Sequence, residues 1–101
     1  MRVEFHPSSR RDKKMMACFY DDERKIKTVH FGASGAKDYT VYWRQNPDLA
    51  KQRRLAYIKR HRVTENWRDP MRPATLARYI LWERPTVESA IKKFKTVFKL
   101  N

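Results

Sequence analysis

The chain is poor in the residues that cross-link a fold or bend its backbone. It has one cysteine, two glycines and only 11 acidic residues among 101. A single cysteine, Cys18, excludes an internal disulfide, so stability has to come from a hydrophobic core. No apolar run approaches the length of a membrane span, and residues 1–5 lack the apolar core of a signal peptide. These absences predict a protein that is not secreted and has no transmembrane segment.

Basic and aromatic residues are abundant instead. The sequence is 41% hydrophobic and 13% aromatic, which excludes a disordered chain, and its length suits one small domain. Twenty-four Lys and Arg residues against the 11 acids give a net charge of +13. A basic excess of this size indicates a polyanionic partner, first of all nucleic acid. An anionic membrane surface, an acidic protein partner or a merely solubilising surface are the alternatives.

Both glycines, Gly32 and Gly35, fall in one short segment between His30 and Thr40. The chain before it has strand-like patterning, and most of the chain after it is helix-like. Glycine reaches positive φ without steric cost, so this loop is expected to be a hinge between two halves. Ser34 and Lys37 could complete an anion cradle with its backbone N–H groups, but the phosphate-loop spacing is absent. The hinge is therefore the main interpretation and anion binding at Lys37 the minor one.

The N-terminal half predicts a small antiparallel sheet. Residues 1–14 offer two alternatives, a short strand or a flexible basic arm. The apolar run 15–20 and the alternating run 25–31 predict a hairpin, joined by a polar turn of about four residues. The β-branched and aromatic residues at 38–43 favour a third strand, with a helical turn capped by Asp38 as the alternative.

The second half predicts three helices. Asn46 and Pro47 form a good start for a helix over 48–62, because Asn caps and Pro suits the first helical position. A mostly apolar helix is expected over 74–83, and an amphipathic one over 87–99 behind the cap Thr86. The predicted architecture is a single α+β domain over residues 15–101, with the small antiparallel sheet followed by three helices.

The first of these helices concentrates basic charge. It has one acid, Asp48, and side chains along one helix face can meet successive phosphates. Lysines of the last helix could extend this surface, giving affinity without base readout. A solvated helix face is the alternative. The candidate nucleic-acid-binding residues are Lys37, Lys51, Arg53, Arg54, Lys59, Arg60, Arg62, Lys92 and Lys95.

A catalytic interpretation is weaker. His30, His61, Glu65 and Asn66 are residue types that nucleases use as bases, orienting groups or metal ligands. The histidines are 31 residues apart and Cys18 stands alone, so no zinc-site spacing is present. We predict no catalytic residue, no metal, no cofactor and no small-molecule substrate.

The three tryptophans, Trp43, Trp67 and Trp82, could stack on unpaired bases, but core positions are the commoner role. Trp67 is the best candidate for a base-stacking exception. Its ring could instead pin down its own loop, with Asn66 and Asp69 bonding nearby backbone.

An ordered set of short segments runs along the chain from Lys14 to Phe98. They are Thr28-Val29-His30-Phe31-Gly32, Gly35 with Asp38-Tyr39-Thr40, Arg54 with Tyr57-Ile58 and Arg60-His61, Glu65-Asn66-Trp67 with Asp69-Pro70, Ile80-Leu81-Trp82, and Thr86. In this order they resemble a family of short basic proteins of unknown function encoded mainly by large DNA viruses of algae and amoebae. The resemblance implies a viral source and a location in the virion or the host-cell interior.

Two functions follow as expectations. The first is a non-enzymatic, virion-associated protein that binds nucleic acid, DNA first, without sequence specificity. The second is a minor capsid or structural protein that contacts acidic viral proteins.

Overall fold

A computed structural model describes all 101 residues. The elements follow one another as strands β1 (Arg2–Pro7), β2 (Lys13–Asp21) and β3 (Arg24–Ala33), then helices α1 (Tyr39–Gln45), α2 (Pro47–His61), α3 (Pro73–Leu76, continued by a π-helical turn over Ala77–Leu81) and α4 (Val87–Phe98). The α+β class and the sheet-then-helices order are confirmed.

The three strands form one antiparallel sheet in the order β1-β2-β3. Side chains alternate between the two faces of a strand, so Val3, Phe19 and Phe31 can share one face, and all three are buried there. The predicted hairpin is confirmed, although its turn is tighter than expected. Asp21 pairs with Arg24, and Asp22 takes a left-handed φ of 54° between them.

Residues 2–7 form a strand, the first of the two alternatives for the N-terminus. Each of them pairs with a residue of β2 between Met15 and Tyr20. The outer edge of β1 is partly covered by the C-terminus, because the Val3 N–H donates to the Asn101 carbonyl at 3.0 Å. The sheet therefore gains its third strand at the beginning of the chain.

The predicted strand over 38–43 is wrong, because Tyr39–Gln45 is helix α1. The Asp38 carboxylate accepts hydrogen bonds from the N–H groups of Thr40 at 2.9 Å and Val41 at 3.3 Å. This satisfies donors that a helix start leaves free, and Lys14 holds the same carboxylate at 2.7 Å. Capping thus outweighs the β propensity of the sequence, and the domain has four helices instead of three.

The other helix boundaries agree with the sequence. Asn46 caps α2 through the N–H groups of Asp48 and Leu49, and Thr86 caps α4 through that of Ser89. The apolar side of α3 and the buried Phe94 of α4 lie on the inner face of the sheet. Burying one such side chain contributes roughly 1.5–3 kcal/mol, so this layer holds the two halves together. None of the four helices combines the length and the apolar composition that a membrane span requires.

Candidate nucleic-acid interface

Helix α2 presents basic side chains to two different sides of the molecule. Ala50 and Tyr57 are its buried positions. Successive residues of an α-helix are about 100° apart, so Lys51 and Arg60, nine residues apart, point in opposite directions. The single basic face expected from the sequence is therefore divided in two.

The first group lies towards the hinge loop, and we call it the hinge-side surface. The Lys37 Nζ and the Arg53 guanidinium carbon lie 5.9 Å and 5.8 Å from the centre of the Tyr42 ring. Lys37 and Arg60 line one cleft, to which β2 adds Lys13. The hinge-side surface consists of Lys13, Lys37, Arg53 and Arg60.

The two glycines place this loop. Gly32 has a φ of 77°, and a Cβ atom there would lie 2.7 Å from Leu81 Cδ1. The backbone thus approaches the π-helical turn of α3 more closely than any other residue would allow. Gly35 has a φ of 81° with open space around it, so its requirement is conformational alone. The hinge interpretation agrees with this geometry.

The second group lies between α2 and α4, and we call it the α4-side surface. It surrounds two adjoining grooves of about 470 and 580 Å³, which share Arg84 and Lys93. Lys51 of α2 lines the first groove, and Lys92 of α4 lines the second. The α4-side surface consists of Lys51, Arg84, Lys92 and Lys93.

A buried ion cluster centred on Glu83 supports the α4-side surface. The Glu83 carboxylate accepts hydrogen bonds from Arg54 and Arg78, each at 2.7 Å, and forms an ion pair with Lys93 at 3.2 Å; its side chain is only 7% exposed. Arg54 also donates its Nε–H to the carbonyl of Trp82 at 2.7 Å. One acid facing three cations leaves a positive excess beneath the grooves.

The three cations control the titration of Glu83. Burial alone would raise its pKa, but Arg78, Arg54 and Lys93 together hold the pKa below the usual value of 4.5. The carboxylate is therefore ionised wherever the protein is folded near neutral pH. Arg54, which the sequence placed among the phosphate-binding residues, is engaged in this cluster.

The structure separates the remaining candidates. Lys37, Arg53 and Arg60 belong to the hinge-side surface, whereas Lys51 and Lys92 belong to the α4-side surface. Lys59 on α2 and Arg62 directly after that helix are exposed and line none of these grooves or the cleft, and Lys95 is half-buried one turn beyond Lys92. Sequence reasoning missed Lys13 and Arg84, whereas Lys93 belongs to the lysine cluster of the last helix that was expected to extend the surface. Lys13 lies in a basic run that was visible, but Arg84 is isolated between Glu83 and Pro85.

The residues considered for catalysis do not form one cluster, although His61 and Glu65 share a cleft. His30 projects from β3 away from the core and shares a hydrogen bond of 2.7 Å with the Ser8 hydroxyl. His61 and Glu65 line the cleft beside Lys37, and Cys18 is buried in the sheet. No group of three or more His, Cys, Asp or Glu residues is placed to hold a metal ion.

The tryptophans are packed in the structure. The guanidinium carbon of Arg78 lies over Trp67, 5.1 Å from the centre of the tryptophan ring. Asn66 and Asp69 accept from nearby backbone N–H groups, so the loop has the pinned arrangement that was the second alternative. Trp82 stacks on Tyr57, and Trp43 packs edge-on against Tyr39.

Comparison with known proteins shows a family model that matches part of the chain. A family described as of unknown function (DUF5754) matches residues 3–41, which cover the sheet, the hinge loop and the beginning of α1. No curated protein and no solved structure matches the chain. The matched segment contains Lys13 and Lys37 of the hinge-side surface and ends before α2.

Proposed function

We propose that the protein binds nucleic acid without sequence specificity, through phosphate contacts from the hinge-side and α4-side surfaces. The observation that supports this is uncompensated charge. Six of the 24 Lys and Arg side chains have a carboxylate oxygen within 4 Å, which leaves 18 without one. Seven of the eight residues of the two surfaces are among these 18.

The arrangement favours backbone contact over base readout. Exposed Lys and Arg side chains reach phosphates in many orientations, whereas base readout needs side chains held in fixed register with a groove. The two surfaces lie on opposite sides of α2, so one duplex contacts one surface and leaves the other for a second segment. A protein of this kind can bridge strands, which suits packing or coating a genome.

The test is the salt dependence of binding to a labelled 20-base-pair duplex. Affinity should fall steeply between 50 and 200 mM salt, because each neutralised phosphate releases counterions. Because either surface can hold a duplex, the double variants Lys37→Glu/Arg60→Glu and Lys51→Glu/Lys92→Glu should each lower the stoichiometry from two duplexes per protein to one, and the quadruple variant should weaken binding by about tenfold or more.

A matched control carries the same change in charge at a distant place. Lys25 and Lys27 are exposed at the start of β3, and a strand advances about 3.3 Å per residue, so they lie some 20–25 Å from its hinge end. At 0.15 M salt the Debye length is about 8 Å, so Lys25→Glu/Lys27→Glu should change affinity by less than about threefold. The control should keep both duplex sites; an equal loss of a site in all three double variants, or binding that ignores salt, would contradict the proposal.

A structural role through protein–protein contacts predicts a different result. The protein would then form a defined oligomer at low micromolar concentration, and the charge-reversal variants would dissociate to monomers. Light scattering after size-exclusion chromatography distinguishes the two functions. Association with a virion stays a prediction from the sequence resemblance.

A further inference from the structure

The hinge-side surface contains a cleft with an apolar lining, which phosphate contact alone does not require. This cleft, of about 470 Å³, lies between the hinge loop, the end of α2 and the π-helical turn of α3. We call it the hinge cleft. Its apolar lining includes Phe31, Ala77 and Leu81, and its volume falls within the range of small-molecule sites. A site for inorganic phosphate alone would not need such a floor.

Three stacked aromatic rings form one wall of the cleft. Trp82 and Tyr57 are parallel, with ring centres 4.4 Å apart and planes at 6°. His61 lies 4.2 Å from Tyr57 at 31°. Tyr57 is in ring contact with both neighbours, whereas Trp82 and His61 are not in ring contact with each other, so the order is Trp82, Tyr57, His61. His61 ends the stack half-buried, and no further aromatic ring of the chain lies on it.

The charges around the cleft are uneven. Lys13, Lys37 and Arg60 line it without a carboxylate partner, whereas Lys14 is neutralised by Asp38 at 2.7 Å. Glu65 also lines the cleft and has no cation within ion-pair distance. Burial and the nearby Glu65 charge raise the pKa of Tyr57 to about 12, so the phenol at the centre of the stack stays neutral.

We propose that the hinge cleft takes one unpaired nucleotide of a single strand. The base extends the stack on His61, and its phosphate meets Lys13, Lys37 and Arg60. Glu65 accepts a hydrogen bond from an exocyclic amine of the base. The inference rests on the proposed function, because the phosphates on either side of this nucleotide would be bound by the basic surface. A paired base cannot enter, because its faces and its pairing edge are already occupied within the duplex.

An uncharged plug tests the cleft. Ala36 is exposed and lines it, so Ala36→Trp fills the space without changing any charge. Affinity for a deoxycytidine decamer should fall about tenfold, the loss expected when one stacked base is excluded, while duplex affinity stays within twofold. Gln52→Trp adds the same bulk on the exposed side of α2, away from every groove, and should change neither affinity.

A second variant removes the ring on which the base stacks. His61→Ala should lower decamer affinity severalfold and leave duplex affinity unchanged, with thermal unfolding measured to verify that the domain is intact. Loss of both affinities by the same factor in a folded Ala36→Trp or His61→Ala variant would overturn the cleft assignment while leaving phosphate binding in place. Failure of the proposed function has another signature, since neither probe would then bind at low salt.

Two further probes sharpen the ligand. Thymine has no exocyclic amine, so a thymidine decamer should bind severalfold more weakly than the deoxycytidine decamer. Glu65→Gln should reduce that difference, because a glutamine amide can also donate to the thymine O4. Equal affinities in the native protein would overturn the role of Glu65. Deoxycytidine monophosphate tests the strand itself. If Ala36→Trp abolished its binding but left decamer binding unchanged, the cleft would be a mononucleotide site and the proposal for a single strand would be wrong.

Discussion

The hinge-side and α4-side surfaces carry similar charge, but different interactions hold them in place. The α4-side surface lies over a buried ion cluster, in which Glu83 holds three cations contributed by α2, α3 and α4. The hinge-side surface lies around an open cleft with an apolar floor and no ion pair among its four cations. The first surface therefore depends on an electrostatic network that also joins helices. The second depends on how closely one loop approaches α3.

Removing the centre of the ion cluster should have the largest effect on this comparison. Glu83→Gln leaves Arg54 and Arg78 partly buried without a counter-charge. Breaking a buried pair by removing one partner costs about 3–5 kcal/mol, and we expect a loss near the lower end because Lys93 can turn to solvent. Urea unfolding followed by circular dichroism measures it.

Glu88→Gln is the matched control for that substitution. Glu88 is exposed in the first turn of α4 and has no ion pair, so its replacement should cost less than about 1 kcal/mol. If both variants lost the same small amount, the cluster would contribute to surface charge only and would not support the α4 side.

Substitution of a glycine should destabilise the hinge side of the molecule. Gly32→Ala places a methyl group 2.7 Å from Leu81 Cδ1 at a backbone φ of 77°. A left-handed conformation costs about 1 kcal/mol and overpacking about 1–3 kcal/mol; because the contact is with the end of a side chain, we expect the lower half of the second range and a total of roughly 2–3 kcal/mol in thermal unfolding. The displaced loop should also carry Lys37 away from Arg60.

Gly35→Ala separates the two causes. Its φ of 81° is equally unfavourable for alanine, but no atom lies within 4 Å of the added Cβ. The loss should be about 1 kcal/mol, the conformational part alone. Equal losses at both glycines would show that the contact with Leu81 costs nothing.

Acid should weaken the α4 side selectively. Since the three cations hold the pKa of Glu83 below 4.5, the folded protein binds this proton less tightly than the unfolded chain does. The contribution of Glu83 is therefore complete above about pH 4.5 and is lost as pH falls through the lower folded pKa. The native protein should lose more stability than Glu83→Gln between pH 5 and pH 3. The pairs of Glu4 and Asp12 are common to both proteins, so the difference isolates Glu83.

Local signals predicted most of the fold, and the exceptions have physical causes. Asn46, Thr86 and the apolar positions of α3 act within their own segments, which is why their elements were correct. Asp38 was ambiguous because Tyr39–Trp43 suits either state. In the structure Asp38 caps a helix, and its carboxylate is also bound by Lys14, a contact 24 residues away in sequence that a local pattern does not contain.

The candidate site was harder to predict, because it is assembled across the chain. A list of basic residues treats Arg54 and Lys51 alike, although Glu83 engages Arg54 and leaves Lys51 facing the groove. Only the fold brings Lys13, Lys37 and Arg60 to one cleft. Residue type predicted that phosphate contacts were plausible, while their division into two surfaces depended on the helical phase of α2.

The smallest effect we expect is a change in the salt dependence of binding, which measures the phosphate contacts of both surfaces on the same scale. For duplex DNA, the slope of log affinity against log salt falls by about 0.9 for each phosphate contact removed. A complex that loses the phosphate contacts of two side chains has its slope reduced by about 1.8. This is the upper limit for Lys37→Ala/Arg60→Ala and for Lys51→Ala/Lys92→Ala. Because one duplex contacts one surface at a time, each double variant should show a smaller reduction, and the quadruple variant should lose more than the sum of the two. Strict additivity would instead mean that a single duplex spans both sides of α2 at once.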